Sequence, residues 1–181
     1  MADPQHTPTL DGFDRLTVRL YRLGHGISGL GFVSLALCLL LGSGQWPAIA
    51  VILVGASLCA GNLHLYDKRI RWLVQAVVLL GLLLTTFGAA AGVLMLAQAG
   101  LGFCLVASSI LAFKEWFCFR IPGLRLMPIL LAAGVLSLAA GGWMVSQILF
   151  AIAGLVQLWL ALKKTQMPLG HDIGDRAHYQ I

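Results

Sequence analysis

The sequence predicts an all-α membrane protein, a bundle of six transmembrane helices with its N and C termini in the cytoplasm. Of 181 residues, 59% are hydrophobic and 10% are charged, and the mean hydropathy is +0.89. Soluble domains are about 45–50% apolar and about 25% charged. The apolar residues form six segments near the length of about 20 residues that crosses a bilayer. This composition excludes a water-soluble enzyme, a disordered chain and a nucleic-acid-binding domain, despite the net charge of +5.

The chain before the first apolar segment divides into two parts. Residues 1–12 contain two prolines and scattered polar residues, which predict a flexible tail. Residues 13–25 place leucines on one helical face and Arg15, Arg19 and Arg22 on another, which predicts an amphipathic helix. It either lies in the headgroup region or extends the first transmembrane helix and packs on its neighbours.

A single membrane domain is predicted over residues 13–164, followed by a cytosolic tail over 165–181. The predicted spans are about 26–42, 46–64, 72–91, 93–113, 124–141 and 143–162. The 42 residues from Trp72 to Phe113 carry no formal charge, so at about 1.5 Å per residue they must fold back once. Gly88–Gly92 is the preferred turn, because it divides the stretch evenly, and Gln98–Gly102 is the alternative.

The charged residues predict the orientation of the six spans. All 12 basic residues fall before the first span, between spans two and three, between spans four and five, or after the sixth. The seven acidic residues fall in the same places. Because lysine and arginine concentrate in cytoplasmic connections, we expect a multi-pass protein of the inner membrane with cytoplasmic termini.

Polar side chains gather at the end of the second predicted span, where Asn62, His64, Tyr66 and Asp67 lie within six residues. If the helix continues through them, His64 shares a face with Asp67, and Asn62 shares another with Tyr66. Asp67 would then orient the His64 imidazole for proton transfer or ligand binding. The alternative is a set of interfacial residues that bond to lipid headgroups and to the loop backbone.

A second polar group follows the fourth predicted span, where Lys114 and Glu115 adjoin four aromatic residues and Cys118. Glu115 is the sole glutamate of the sequence, and an ionisable residue this near the hydrocarbon is costly and usually paired. Cys118 lies one helical turn from Glu115, so a metal or redox role is conceivable. The commoner outcome is a snorkelling Lys114 in a surface pair with Glu115.

Histidines and cysteines raise the question of a cofactor. His25 and His64 are predicted at the same depth on successive helices, which would suit a haem or a metal. Cys38 and Cys104 lie singly in apolar segments and are most simply small buried side chains. Little else in the sequence supports either group, so we expect no bound cofactor.

The motifs NLHLYDKRIR (residues 62–71) and KEWFCFRIPGLR (residues 114–125) resemble a family of uncharacterised bacterial integral membrane proteins that also occurs in cyanobacteria. The resemblance covers most of the chain and implies an inner-membrane protein, but it implies no reaction. It draws attention to His64, Tyr66, Lys114, Glu115 and Cys118. Cys38 and Cys104 also resemble the cysteine pair of six-span thiol-transfer proteins. In those proteins prolines flank the cysteines, whereas in this sequence the neighbours are leucine and phenylalanine.

We therefore expect a non-catalytic binding or scaffold protein with a polar site at its cytoplasmic face, centred on His64, Asp67, Lys114 and Glu115. Its expected partners are the lipid bilayer and another membrane protein or a second copy. Two other hypotheses stay open. One is a small-solute transporter or channel with a basic cytoplasmic mouth. The other is a redox protein that uses haem or thiols.

Overall fold

The computed structural model describes residues 9–174 and residue 179, so the predicted tail at residues 1–8 and residues 175–178, 180 and 181 lie outside it. The regular structure of the described residues is helical. The helices are α1 (Gly12–Leu41), α2 (Trp46–Gly61), α3 (Lys68–Ala90), α4 (Leu94–Phe119), α5 (Met127–Ala139), α6 (Trp143–Thr165) and α7 (Gly170–Ile173), with a 3₁₀ turn at Leu124–Leu126.

Four of these helices, α1, α3, α4 and α6, are long and apolar enough to cross a membrane. The remaining two apolar helices are shorter: α2 has 16 residues and α5 has 13. The chain turns between α3 and α4 at residues 91–93, at the end of the Gly88–Gly92 stretch that the sequence favours. The architecture is that of an integral membrane helix bundle.

α1 is one continuous helix of 30 residues that contains both the amphipathic segment and most of the first predicted span. Its start is fixed by a capping box, in which Asp11 and Asp14 each accept a backbone N–H of the other. Val18 and Tyr21 are fully buried within the bundle. The segment 13–25 is therefore continuous with a helix of membrane-spanning length. Val18 and Tyr21 pack on neighbouring helices, whereas Phe13, Leu16 and Leu23 are exposed.

Consecutive helices are antiparallel, with α1 packed between α2 and α6, and α3 packed on α4. Small residues allow these close approaches. A Cβ atom added at Gly55 of α2 would lie 2.3 Å from the Ser28 Oγ of α1, and one added at Gly100 of α4 would lie 2.4 Å from the Thr85 backbone nitrogen of α3. Such contacts between apolar helices are typical of membrane bundles.

The antiparallel order brings six helix ends together, namely the starts of α1, α3 and α5 and the ends of α2, α4 and α6. We call this the polar end. Thr17 of α1 lies 3.3 Å from His64, which follows α2, and Tyr21 of α1 bonds to Glu115 of α4. The charged clusters that are far apart in sequence therefore meet in space.

Candidate functional site

A buried group of charged side chains occupies the polar end, and we call it the charge cluster. It consists of Tyr21 and Arg22 from α1, Lys114 and Glu115 from α4, Lys164 from α6, and Asp172 from α7. Each residue lies within about three turns of a helix end. The fold thus gathers charges from four helices at one depth.

Glu115 is at the centre of the charge cluster and is completely buried. Its Oε1 accepts hydrogen bonds from the Tyr21 hydroxyl at 2.5 Å and from Lys114 Nζ at 2.8 Å. Its Oε2 lies 2.7 Å from Lys164 Nζ. Both carboxylate oxygens are thus paired with cations, which offsets the cost of taking the charge out of water.

Arg22 uses its guanidinium to hold the chain that follows α6. Its Nε and Nη2 donate to Asp172 Oδ2 at 2.7 and 2.5 Å. Its Nη1 and Nη2 also donate to the backbone carbonyls of Lys164, Met167 and Pro168. The carbonyls at a helix C terminus lack partners within the helix, so Arg22 both caps α6 and attaches α7.

Lys164 connects the two carboxylates of the charge cluster. Its ammonium group pairs with Glu115 and with Asp172 Oδ1. It also lies 4.7 Å from the centre of the Tyr21 ring and 4.9 Å from that of the Phe119 ring, where ring electrons attract a cation. This side chain is fully buried, so its ion pairs are shielded from water.

The formal charges of the cluster do not balance. Three cations, Arg22, Lys114 and Lys164, meet two carboxylates, Glu115 and Asp172, which leaves an excess of one positive charge. The side chain of Lys114 is 13% exposed, whereas the side chain of Lys164 is not exposed at all. Lys114 is thus the lysine of the cluster that an anion can approach from outside.

A small cavity of about 50 Å³ lies beside the charge cluster. Its lining comprises His64, Leu65, Tyr66, Lys114, Cys118, Phe119, His171, Asp172, Ile173 and Gly174. Burial, followed by the charge of Lys114, lowers the pKa of His64 below its ordinary value of 6.5. His64 is therefore neutral at neutral pH, and it can donate or accept a hydrogen bond in the cavity.

A second polar pair lies deeper in α1 and α6. Gln157 Nε2 lies 2.8 Å from His25 Nδ1, and the Tyr21 ring packs edge-on against the imidazole. His25 Nε2 and Gln157 Oε1 are buried without a hydrogen-bond partner in the described part of the chain. His64 contacts Thr17 instead. His25 and His64, the pair considered for a haem or a metal, therefore have different neighbours.

Four of the residues singled out from the sequence meet at the cavity: His64, Tyr66, Lys114 and Cys118. Glu115 lies behind them in the charge cluster. The predicted surface pair of Lys114 and Glu115 is instead largely buried, because α1 and α6 cover that side of α4. Glu115 is fully buried, and the Lys114 side chain is 13% exposed.

The pairing of His64 with Asp67 was predicted on the condition that the helix continues, and it does not. α2 ends at Gly61, and Asn62 Nδ2 donates to the Leu58 carbonyl. Asp67 caps α3 by accepting the N–H groups of Arg69 and Ile70. Residues 62–67 form a loop, so neither helical face of the prediction exists.

Four residues of the charge cluster are not among the predicted site residues, namely Tyr21, Arg22, Lys164 and Asp172. Asp172 belongs to the predicted cytosolic tail 165–181, but it is buried and held by Arg22 and Lys164. Nothing in its neighbourhood in the sequence marks it as buried. No signal in the sequence distinguishes Arg22 from Arg15 and Arg19, which share its predicted helical face.

The cysteines are all free thiols. Cys118 borders the cavity, whereas Cys104 is buried between α3 and α4, close to Gly81. In residues 9–174 and 179, no group of three or more histidine, cysteine, aspartate or glutamate side chains is placed to hold a metal ion.

Residues 57–181, more than half of the chain, match a protein family described as "Uncharacterized integral membrane protein (DUF2301)". The chain belongs to this family. The matched region begins within α2 and includes the cavity.

An "Uncharacterized protein" of the bacterium Haemophilus influenzae is 38% identical to this chain over 185 residues. The alignment covers 100% of both proteins. No solved structure matches the chain. The resemblance inferred from the two sequence motifs is therefore confirmed, and the protein is an integral membrane protein.

Proposed function

We propose that this member of the family is a non-catalytic binding protein of the bacterial inner membrane, with six spans, and that the cavity at its polar end takes a small anionic group from the cytoplasm. The group is a carboxylate or a phosphoryl oxyanion. In support, a buried ionisable cluster in a membrane protein marks a functional site by default, because such charges are costly to keep.

The observation that carries this proposal is the excess positive charge beside the cavity. With one cation more than carboxylates, the charge cluster is neutralised by a single bound anion. Lys114 lies at the cavity and has three N–H donors, of which Glu115 and Tyr21 accept two. His64 and His171 lie on the same lining, and an imidazole there can donate an N–H group in the tautomer that directs it into the cavity.

The size of the cavity limits the ligand. A volume of about 50 Å³ holds a few water molecules or one oxyanion, not a whole metabolite. We therefore expect a larger ligand to insert only its charged end. Tyr66 and Cys118, which are partly exposed, would then contact the remainder at the opening.

The binding experiment measures the thermal unfolding of the purified full chain with increasing sodium phosphate or sodium acetate, against sodium chloride at equal ionic strength. A ligand at 100 times its Kd raises the free energy of unfolding by about 2.7 kcal/mol. We expect stabilisation by one of the two anions, and its loss in Lys114→Gln. Lys163→Gln is the matched control, since Lys163 lies over the Trp159 ring outside the cavity.

Equal responses of Lys114→Gln and Lys163→Gln would contradict the assignment. So would a wild-type chain that responds only to ionic strength.

A flux assay tests the transporter hypothesis. If the stabilising anion enters vesicles that contain the protein, the protein is a transporter and not solely a binding protein.

The proposed orientation has its own test. Reporter fusions at the C terminus and in the connections after α2 and α4 should report the cytoplasm, and fusions in those after α1, α3 and α5 the opposite side. An extracytoplasmic C terminus would contradict the six-span arrangement.

A further inference from the structure

A groove of about 540 Å³ runs along the outer side of the bundle between α1 and α6. It is separate from the cavity of the proposed function. Its lining is aliphatic except near the polar end, and consists of Arg19, Arg22, Leu23, Gly26, Ile27, Leu30, Leu158, Ala161, Leu162, Thr165 and Leu169. Leu23, Leu30 and Leu162 are more than half exposed, so the groove opens towards the lipid.

The length of the groove matches one leaflet. Its α1 residues are spaced by three and four positions from Arg19 to Leu30, so they form a single stripe. At about 1.5 Å per residue this stripe is about 16 Å long, roughly half of the hydrocarbon thickness of about 30 Å. The groove thus extends from the polar end to about the middle of the bilayer.

A cation stands at the headgroup end of this groove. Arg19 is exposed and has no hydrogen-bond or ion-pair partner among the residues that the structure describes. Arg22, by contrast, already donates to Asp172 and to backbone carbonyls. A guanidinium group binds a phosphate through two parallel hydrogen bonds, which an unpaired arginine is free to form.

A second lateral groove lacks this combination. It lies between α4 and α5, has a volume of about 800 Å³, and its lining includes Phe113 and Pro128 near the polar end. No charged side chain is among its lining residues. It offers an acyl chain the same kind of surface but offers a headgroup no cation.

We infer that the α1–α6 groove binds one anionic phospholipid from the leaflet at the polar end. Its acyl chain lies along Leu23, Ile27 and Leu162, and its phosphate pairs with Arg19. Basic residues at the end of an apolar groove between transmembrane helices are the chemistry that recognises such headgroups.

The test is native mass spectrometry of the full chain in detergent, with equal amounts of phosphatidylglycerol and phosphatidylcholine that carry the same acyl chains. We expect retained phosphatidylglycerol to exceed phosphatidylcholine. Arg19→Gln should lower this ratio by about fivefold, the effect of one basic side chain at an anionic surface. Arg15→Gln, an exposed arginine of α1 outside the groove, should leave the ratio unchanged.

Blocking the groove tests the acyl-chain contact separately. A Cβ at Gly26 meets only Ala161 at 3.7 Å, so Gly26→Leu places its side chain in the groove, and retention of both lipids should fall. Gly102→Leu blocks the α4–α5 groove instead and is the matched control. Leu30→Trp, at an exposed position, replaces Gly26→Leu if that variant does not fold.

Three results would overturn the inference. The first is an equal lipid ratio in Arg19→Gln and Arg15→Gln. The second is displacement of the lipid by excess inorganic phosphate, which would make the site one for a free anion. The third is a dimer that Gly26→Leu dissociates, which would assign the groove to a second copy of the chain.

Discussion

Replacing Glu115 by glutamine is the most direct perturbation of the charge cluster. The substitution keeps the volume of the side chain and removes its charge. In the wild-type protein the two carboxylate oxygens lie 2.5–2.8 Å from the Tyr21 hydroxyl and the ammonium groups of Lys114 and Lys164. The glutamine amide presents an N–H group to one of these donors. Lys114 then loses its counter-ion, and the buried Lys164 keeps only Asp172.

The expected loss of stability follows from that burial. Removing one partner of a buried ion pair typically costs about 3–5 kcal/mol, because the other charge stays buried and unpaired. At about 2–4 °C per kcal/mol for a chain of this size, Glu115→Gln should lower the midpoint of thermal unfolding by roughly 6–20 °C. The assay is thermal unfolding of the purified protein in detergent.

The matched control is Asp67→Asn. It makes the same change of carboxylate to amide, but at the N-cap of α3, where asparagine accepts the N–H groups of Arg69 and Ile70 equally well. We expect it to cost less than about 0.5 kcal/mol. In the double variant Glu115→Gln with Lys114→Gln, the excess charge returns to one, so about 1 kcal/mol or more of the loss should be recovered.

A loss of stability below about 1 kcal/mol for Glu115→Gln would refute the conclusion that Glu115 balances buried charge in the charge cluster. So would a double variant whose effects simply add, since residues in contact are expected to couple.

Three further predictions concern other parts of the polar end and of the bundle. The folded-state pKa of His64 is depressed, so its stabilising contribution is complete above the unfolded value of 6.5 and is lost as the pH falls below it. His64→Gln should therefore show a smaller drop in unfolding temperature than wild type between pH 7 and pH 5. Gly55→Ala should cost about 1–3 kcal/mol in thermal unfolding by forcing α2 away from α1, whereas Gly102→Ala, which meets nothing within 4 Å, should not destabilise the fold. Arg22→Gln should speed hydrogen exchange of the backbone amides after α6, and Arg19→Gln should not. Equal exchange in both variants would refute the role of Arg22 in holding the chain that follows α6.

Much of the helical arrangement follows from the sequence, because long apolar runs in a bilayer leave few alternatives to helices. The positions of charged clusters likewise indicate that Lys114 and His64 lie at one end of the bundle. The loop at 62–67 could have been predicted from Asp67 followed by a helix-forming run, a typical N-cap signal. The second predicted span, 46–64, runs into this loop and obscures the signal.

The docking of Asp172 could not be predicted in the same way. A short polar segment with glycine and proline has the composition of a flexible tail, and its order depends on contacts with Arg22 and Lys164 that are distant in the sequence. Tertiary contacts of this kind override local composition. The burial of Glu115 and of most of the Lys114 side chain has the same origin, because α1 and α6 cover that side of α4.

The pairing of Arg22 with the end of α6 has a consequence for how the protein is made. Arg22 leaves the ribosome 142 residues before Lys164 and 150 residues before Asp172. Glu115 likewise emerges before one of its two lysines. A nascent chain therefore holds unmatched charge near the lipid until Lys164 and Asp172 have been made. The charges of the polar end are matched only once both α6 and α7 have been made.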